Sequence, residues 1–171
     1  LLLGQLVDYK RADLAVRAFS RAGGSKRRLV VIGEGEQMPL LKKLAGPNVS
    51  LLGRQPLAVV REHLSRCRAL IFPGLEDFGI VPVEALACGT PVIAYGRGGV
   101  LDSLQDGVTG VFFKEQTEQA LLDAVTRFES LSFDPADLAQ SARRFHPDRF
   151  AERMAALAQK TMADKGRSRG I

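Results

Sequence analysis

Glu76-Asp77-Phe78-Gly79-Ile80-Val81-Pro82-Val83-Glu84, continued at once by Ala85-Leu86-Ala87-Cys88-Gly89-Thr90-Pro91-Val92-Ile93-Ala94, places two carboxylates eight positions apart on either side of a glycine. The apolar run over 69–72 in front of it reads as a buried strand, 81–88 as a helix and 92–95 as a second strand. Glu76 therefore falls in the loop leaving a strand, and Glu84 about one turn into the helix. The two acids do not share a helical face and are placed to grip two ends of one ligand. Between them Gly79 allows close backbone approach, and the free N–H groups of Gly79, Ile80 and Val81 at a helix start form an anion site suited to phosphate. Pro82 fits the first turn, where its missing donor is no loss.

Outward from this segment the same alternation repeats. Residues 1–3 read as a truncated strand, and 12–21 as a helix with an apolar stripe through Leu14, Ala15, Ala18 and Phe19. A buried strand over 29–32 ends at Gly33-Glu34-Gly35, and a helix over 37–44 is stopped by Gly46-Pro47. A strand over 49–52 ends at Gly53, a helix spans 57–66, a strand 110–113, and a helix 117–129 with Thr117 as its N-cap. Strands and helices at this spacing predict parallel βαβ units with helices on both faces of one sheet, an α/β, Rossmann-like doubly wound fold. Ligands of such sheets bind at the carboxyl ends of the strands, where the glycine-rich loops all fall. After Ser130 the pattern is helical only, over 135–145 and 147–162, each opened by a proline. The division is thus 1–130 for the Rossmann-like domain, 131–164 for C-terminal helices and 165–171 for a frayed tail.

Composition narrows the class. At 171 residues and 46% hydrophobic, the chain is the size of one domain with a real core. No run approaches the ~20 apolar residues of a membrane helix, and residues 1–3 are too short for a signal-peptide core. Cys67 and Cys88 have neither metal-ligand spacing nor a disulfide framework, so they read as small apolar residues of a reducing, cytoplasmic protein. The net charge of +5 is diffuse, with clusters at Lys26-Arg27-Arg28, Arg143-Arg144 and 165–169. With two tyrosines, no tryptophan and no basic-aromatic interleaving, no stacking platform for nucleic acid is visible. A screened attraction to anionic lipid, peripheral at the inner face of the membrane, or to a phosphorylated acceptor is the more plausible use of the charge. Asp-x-Asp, His-x-His and Cys-x-x-Cys are absent, so no metal site is expected and phosphate charge falls to a lysine and to helix termini.

Pro73-Gly74, Glu76-x-Phe78-Gly79-Ile80-Val81-x-Val83-Glu84-Ala85, Gly89-Thr90-Pro91-Val92-Ile93-Ala94, Gly98-Gly99 and Asp106-Gly107-x-Thr109-Gly110 together resemble the Glu-x7-Glu signature of retaining GT-B glycosyltransferases of family 4, over roughly residues 1–128. The resemblance implies the C-terminal, donor-binding half of a GT-B enzyme, preceded by an N-terminal acceptor domain onto which the last helix crosses back. That half alone would be inactive. Gly4-Gln5-Leu6-Val7-Asp8-Tyr9-Lys10-Arg11 is similar to the family's Gly-Arg-Leu-x-x-x-Lys-Arg, which implies that Lys10 neutralises the donor pyrophosphate as charge develops on the leaving group. Gln5 stands where the arginine is expected and can hydrogen-bond phosphate without bringing charge. Glu84 would accept from the ribose diol and Glu76 from hydroxyls of the transferred sugar, neither as a nucleophile. Retention would follow from front-face attack with the leaving phosphate as base.

Other positions keep two readings. Gly33 belongs to a donor-adjacent loop or a bare turn; Arg54, beside Gln55, to a base wall or an exposed surface; Lys10 itself reads otherwise as a solvated cation. Gly98-Gly99 offers backbone donors to sugar or phosphate. Asp77 is expected to cap the following helix, Phe78 to pack in the core, and Thr90-Pro91 to shape entry to a strand. His63 and His146 lack any partner pattern. The function implied is hexose transfer from a nucleotide sugar in cell-surface glycan or lipid-linked sugar synthesis. Mannosyltransferase-like members are most similar, with GDP-mannose the first donor and UDP-glucose or another UDP-sugar next. Rival readings are a non-catalytic nucleotide-binding or docking module, which Gln5 suits, and, last, a sugar-nucleotide epimerase, which needs a histidine in the cleft.

Overall fold

The computed structural model describes residues 1–22 and 27–167. Lys26 of the first basic cluster and residues 168–171 of the expected tail lie outside them. In order, the elements are β1 (Leu2–Leu3), α1 (Ala12–Arg21), β2 (Leu29–Ile32), α2 (Met38–Leu44), β3 (Val49–Leu51), α3 (Leu57–Arg66), β4 (Leu70–Phe72), α4 (Ile80–Ala87), β5 (Val92–Tyr95), α5 (Val100–Ser103), β6 (Gly110–Phe113), α6 (Glu118–Glu129), α7 (Pro135–Ala142) and α8 (Pro147–Arg167). The expected helix over 135–145 tightens into a 3-10 turn at Arg143–Phe145. A second 3-10 turn, at Asp8–Lys10, was not anticipated.

All strand pairs are parallel, in two three-stranded sheets ordered β1-β2-β3 and β4-β5-β6. Leu1 joins them: its nitrogen donates to the Ala69 carbonyl at 2.9 Å, and its carbonyl accepts from the Ile71 N–H at 2.7 Å. The spatial order across the molecule is therefore β3-β2-β1-β4-β5-β6, with the order reversing between β1 and β4. That reversal is where a doubly wound sheet opens its ligand crevice.

Side-chain alternation along the strands sorts the core into two layers. Leu2, Leu29, Val31, Ile71, Ile93 and Val111 point to one face, where they pack with α1, α2 and α6. Ile32, Leu70, Phe72, Val92 and Ala94 point to the other, against α3, α4, α5 and α7. Both faces being covered is why the strands read as continuous apolar runs.

The segment after Glu76 is fixed at both ends. Gly79, at φ 80°, is the N-cap of α4. At the far end Gly89, at φ 75°, turns the chain out of α4: its N–H donates to the Leu86 carbonyl at 2.8 Å and that of Thr90 to Ala85 at 2.9 Å, the Schellman pattern. The Thr90 hydroxyl is buried and donates to the Leu64 carbonyl, so Thr90-Pro91 does shape entry to β5. Thr117 caps α6, accepting from the Ala120 N–H at 3.2 Å. Helix α8 leaves Phe150, Met154, Leu157 and Met162 exposed. None of the described helices is long and apolar enough to cross a membrane.

Candidate functional site

The loops at the carboxyl ends of the strands interlock in the order of the sheet. The Gly33 N–H donates to the Gly53 carbonyl at 2.9 Å, tying the loop after β2 to that after β3. The Leu6 N–H donates to Glu34 at 2.7 Å and the Gln37 N–H to Leu6 at 3.0 Å, tying it to the loop after β1. A Cβ on Gly33 would lie 1.8 Å from the Gly4 carbonyl oxygen, so only glycine permits this approach. On the other side Gly74 sits against Lys10, where a Cβ would come within 2.7 Å of the Lys10 Cα. The Gly99 N–H donates to the Glu76 carbonyl at 2.9 Å, and the Gln116 side chain donates to Pro73 at 2.8 Å. The rim is one continuous braced edge, with the loop of Lys10 and the loop of Glu76 side by side at its centre.

There the Lys10 ammonium meets a Glu76 carboxylate oxygen at 3.0 Å. The two side chains are 22% and 20% exposed, within reach of solvent yet lined by protein. Arg11 pairs instead with Asp13 at 3.1 Å. Gln5 is exposed on the same loop. Glu84 is exposed on α4 and, among the described residues, is in no ion pair. Its carboxylate acts on Cys88 one turn further along: burial first, and then the Glu84 charge, push that thiol above its ordinary value.

No side chain caps the start of α4, which leaves the first-turn N–H groups of Ile80 and Val81 beside Gly79 free of a side-chain acceptor. This corrects the reading of Asp77 as a cap: it lies two residues before the N-cap Gly79. Phe78 is corrected too. It is 46% exposed and stacks edge-on with Phe145 at 5.8 Å rather than filling the core. Arg54 is exposed at the β3 end of the rim, and the Gln55 side-chain amide donates to the Leu52 carbonyl at 2.7 Å. Gly33 satisfies the turn reading through its contacts and also lies on the rim. Near the β5 end, exposed Arg97 has its guanidinium 6.0 Å from the centre of the Tyr95 ring. The sequence reading missed this residue, although its place just before Gly98-Gly99 was a signal for it.

His63 bonds through Nδ1 with the Val59 carbonyl at 2.9 Å, and His146 lies 3.3 Å from Asp148 on the surface. Neither is on the rim. A cavity of about 440 Å³ opens instead at the amino ends of the strands, walled by Arg27, Arg28, His63, Arg66 and Arg68 around Ala69. Two of these arginines are engaged: Arg27 grips Glu129 through two hydrogen bonds of 3.1 and 2.6 Å, and Arg66 pairs with Glu62 at 2.8 Å. None of the expected site residues lines this cavity.

Residues 1–145 match the sequence profile of the family described as Glycosyl transferases group 1. The glycogen synthase of Pseudomonas aeruginosa is 35% identical over 140 residues, which cover 74% of this chain and 26% of that protein. A D-inositol 3-phosphate glycosyltransferase of Frankia alni is 33% identical over 144 residues, 74% of this chain and 35% of that protein. Among solved structures, Anabaena Alr3699/HepE in complex with UDP-glucose superposes with a TM-score of 0.67 at 21% identity, covering 95% of this chain and 48% of that one. This chain belongs to the group 1 glycosyltransferases. Its fold is the Rossmann-like unit of GT-B enzymes, as the signature around Glu76 and Glu84 implied. It spans between about a quarter and a half of the length of these similar proteins.

Proposed function

We propose that the chain is the nucleotide-sugar donor-binding unit of a retaining, metal-independent hexosyltransferase serving cell-surface glycan or glycolipid synthesis. The observation that carries this reading is the convergence of Lys10 and Glu76, distant in sequence, at 3.0 Å on the carboxyl edge of the sheet. That edge, at the order reversal, is where such folds take nucleotides. Lys10 meets the diphosphate, whose charge grows as the nucleotide leaves, with the uncapped N–H groups of Gly79, Ile80 and Val81 as further donors. Glu84 accepts from the ribose diol and Glu76 from hexose hydroxyls. Gln5, Gly33, Arg54 and Gln55 line the remainder of the donor's path.

The UDP-glucose complex of the Anabaena protein supports a UDP-sugar as the donor. GDP-mannose, favoured by the mannosyltransferase-like residues alone, is the rival. Residues 1–130 form the donor unit and 131–164 the helices that pack on it or cross to an acceptor domain. The chain by itself performs no transfer, and full-length enzyme works in the cytoplasm, peripheral to the membrane.

Calorimetric titration with UDP, GDP and ADP, with and without EDTA, tests this. One nucleotide is expected to bind regardless of EDTA, and Glu84→Ala to weaken it at least about tenfold by removing a charged acceptor. Absence of binding by all three would put the docking-module reading in its place.

A further inference from the structure

The centre of the rim is neutralised from within, by the 3.0 Å pair between Lys10 and Glu76. Both backbones are fixed: Gly74 is wedged against the Lys10 Cα, and the Glu76 carbonyl is held by the Gly99 N–H at 2.9 Å. The pair is therefore preorganised, and at about one-fifth exposure it is screened less than a surface pair. Arg11 is committed to Asp13, and Gln5 brings no charge. A diphosphate approaching the loop over 4–11 meets one ammonium, and that ammonium has a carboxylate partner.

We infer that the Lys10–Glu76 pair is a selectivity device, competing with the phosphates of a bare nucleoside diphosphate for Lys10 and yielding to a nucleotide sugar. This rests on the donor-site reading above. When a bare diphosphate takes Lys10, Glu76 is left without its cation and next to a second anion, and both effects oppose binding. A nucleotide sugar brings hexose hydroxyls that donate to Glu76 in place of the ammonium, so the carboxylate is not stranded. Once the hexose has been transferred those donors are gone, Glu76 reclaims Lys10, and the hold on the departing diphosphate weakens. The same contacts that admit the donor thus favour release of the product. An arginine at position 5 would give the diphosphate its own cation and blunt the contest, so glutamine there sharpens the discrimination.

The test is calorimetry on wild type, Glu76→Gln, Lys10→Met, the double variant and Glu84→Ala, with UDP against UDP-glucose and GDP against GDP-mannose. Glu76→Gln is expected to bind the bare diphosphate about three- to fivefold tighter, the range of a partly screened pair. Its affinity for the sugar nucleotide should stay level or fall, and the gain should vanish in the Lys10→Met background. Damage to the fold does not tighten binding, so a gain that depends on Lys10 reports the competition itself. Should Glu84→Ala weaken binding while Glu76→Gln holds the diphosphate no tighter than wild type, the donor site stands and the selectivity device falls. Binding by Glu76→Gln but not wild type supports the inference; binding by neither overturns it together with the donor site.

Discussion

Cys88, at the C-terminal end of α4, reports on the charge of Glu84. Its thiol is held above the ordinary value first by burial and then by the Glu84 charge. Replacing that charge lowers the thiol pKa, because a nearby anion opposes formation of the thiolate. Glu84→Gln should therefore speed alkylation of Cys88 by iodoacetamide at pH 8, by less than about tenfold since an exposed charge shifts a pKa by under one unit. Cys67, raised mainly by its own burial, serves as the internal control and should react at an unchanged rate. Peptide-resolved labelling rates read both; equal rates in variant and wild type would put the Glu84 carboxylate away from Cys88. At this same scale, the roles assigned to Lys10 and Glu76 were legible only as two separate motifs. Their contact was not, because local sequence says nothing of which loops the strand order sets side by side.

Helix α4 is the element that carries the site, and both of its ends are set by glycine. Gly89→Ala forces a Cβ into the left-handed region at φ 75° and to 2.9 Å from the Pro135 side chain, at the junction with α7. The expected cost is about 1–2 kcal/mol from the backbone alone, read as a lowered urea midpoint with unchanged slope; an unchanged midpoint would mean the Schellman turn does not form. The alternation of elements was closely legible, since strand runs were closed by Gly33 and Gly53, and helices by Gly46-Pro47 and Gly89-Thr90-Pro91, although α8 runs on to Arg167, past its expected end at 162. What escaped was tertiary or one residue out of register. Asp77 has the right chemistry for a cap, but the helix begins after Gly79, beyond its reach. Phe78 looked like core, yet its partner Phe145 comes from the far 3-10 turn, which no local periodicity announces. The 3-10 turn at Asp8–Lys10, too short to show a period, presents Lys10 to Glu76.

Across the whole molecule, the sheet offers anions two opposite ends. The carboxyl edge brings together the braced loops, Lys10 and the start of α4, whereas the amino edge holds the cavity walled by arginines. Charge count alone favours the second; the bracing of the loops and the pairing of Lys10 favour the first. Amide hydrogen exchange of the chain with and without saturating UDP or GDP distinguishes them most directly, because bound ligand slows opening of the segments it contacts. Protection is expected over 4–10 and 76–84, extending to 53–55 and 98–99, with no change around Arg28 and Arg68. Protection confined to the segments around Arg28 and Arg68, or an exchange pattern that UDP and GDP alike leave untouched, would contradict a donor site on the carboxyl edge.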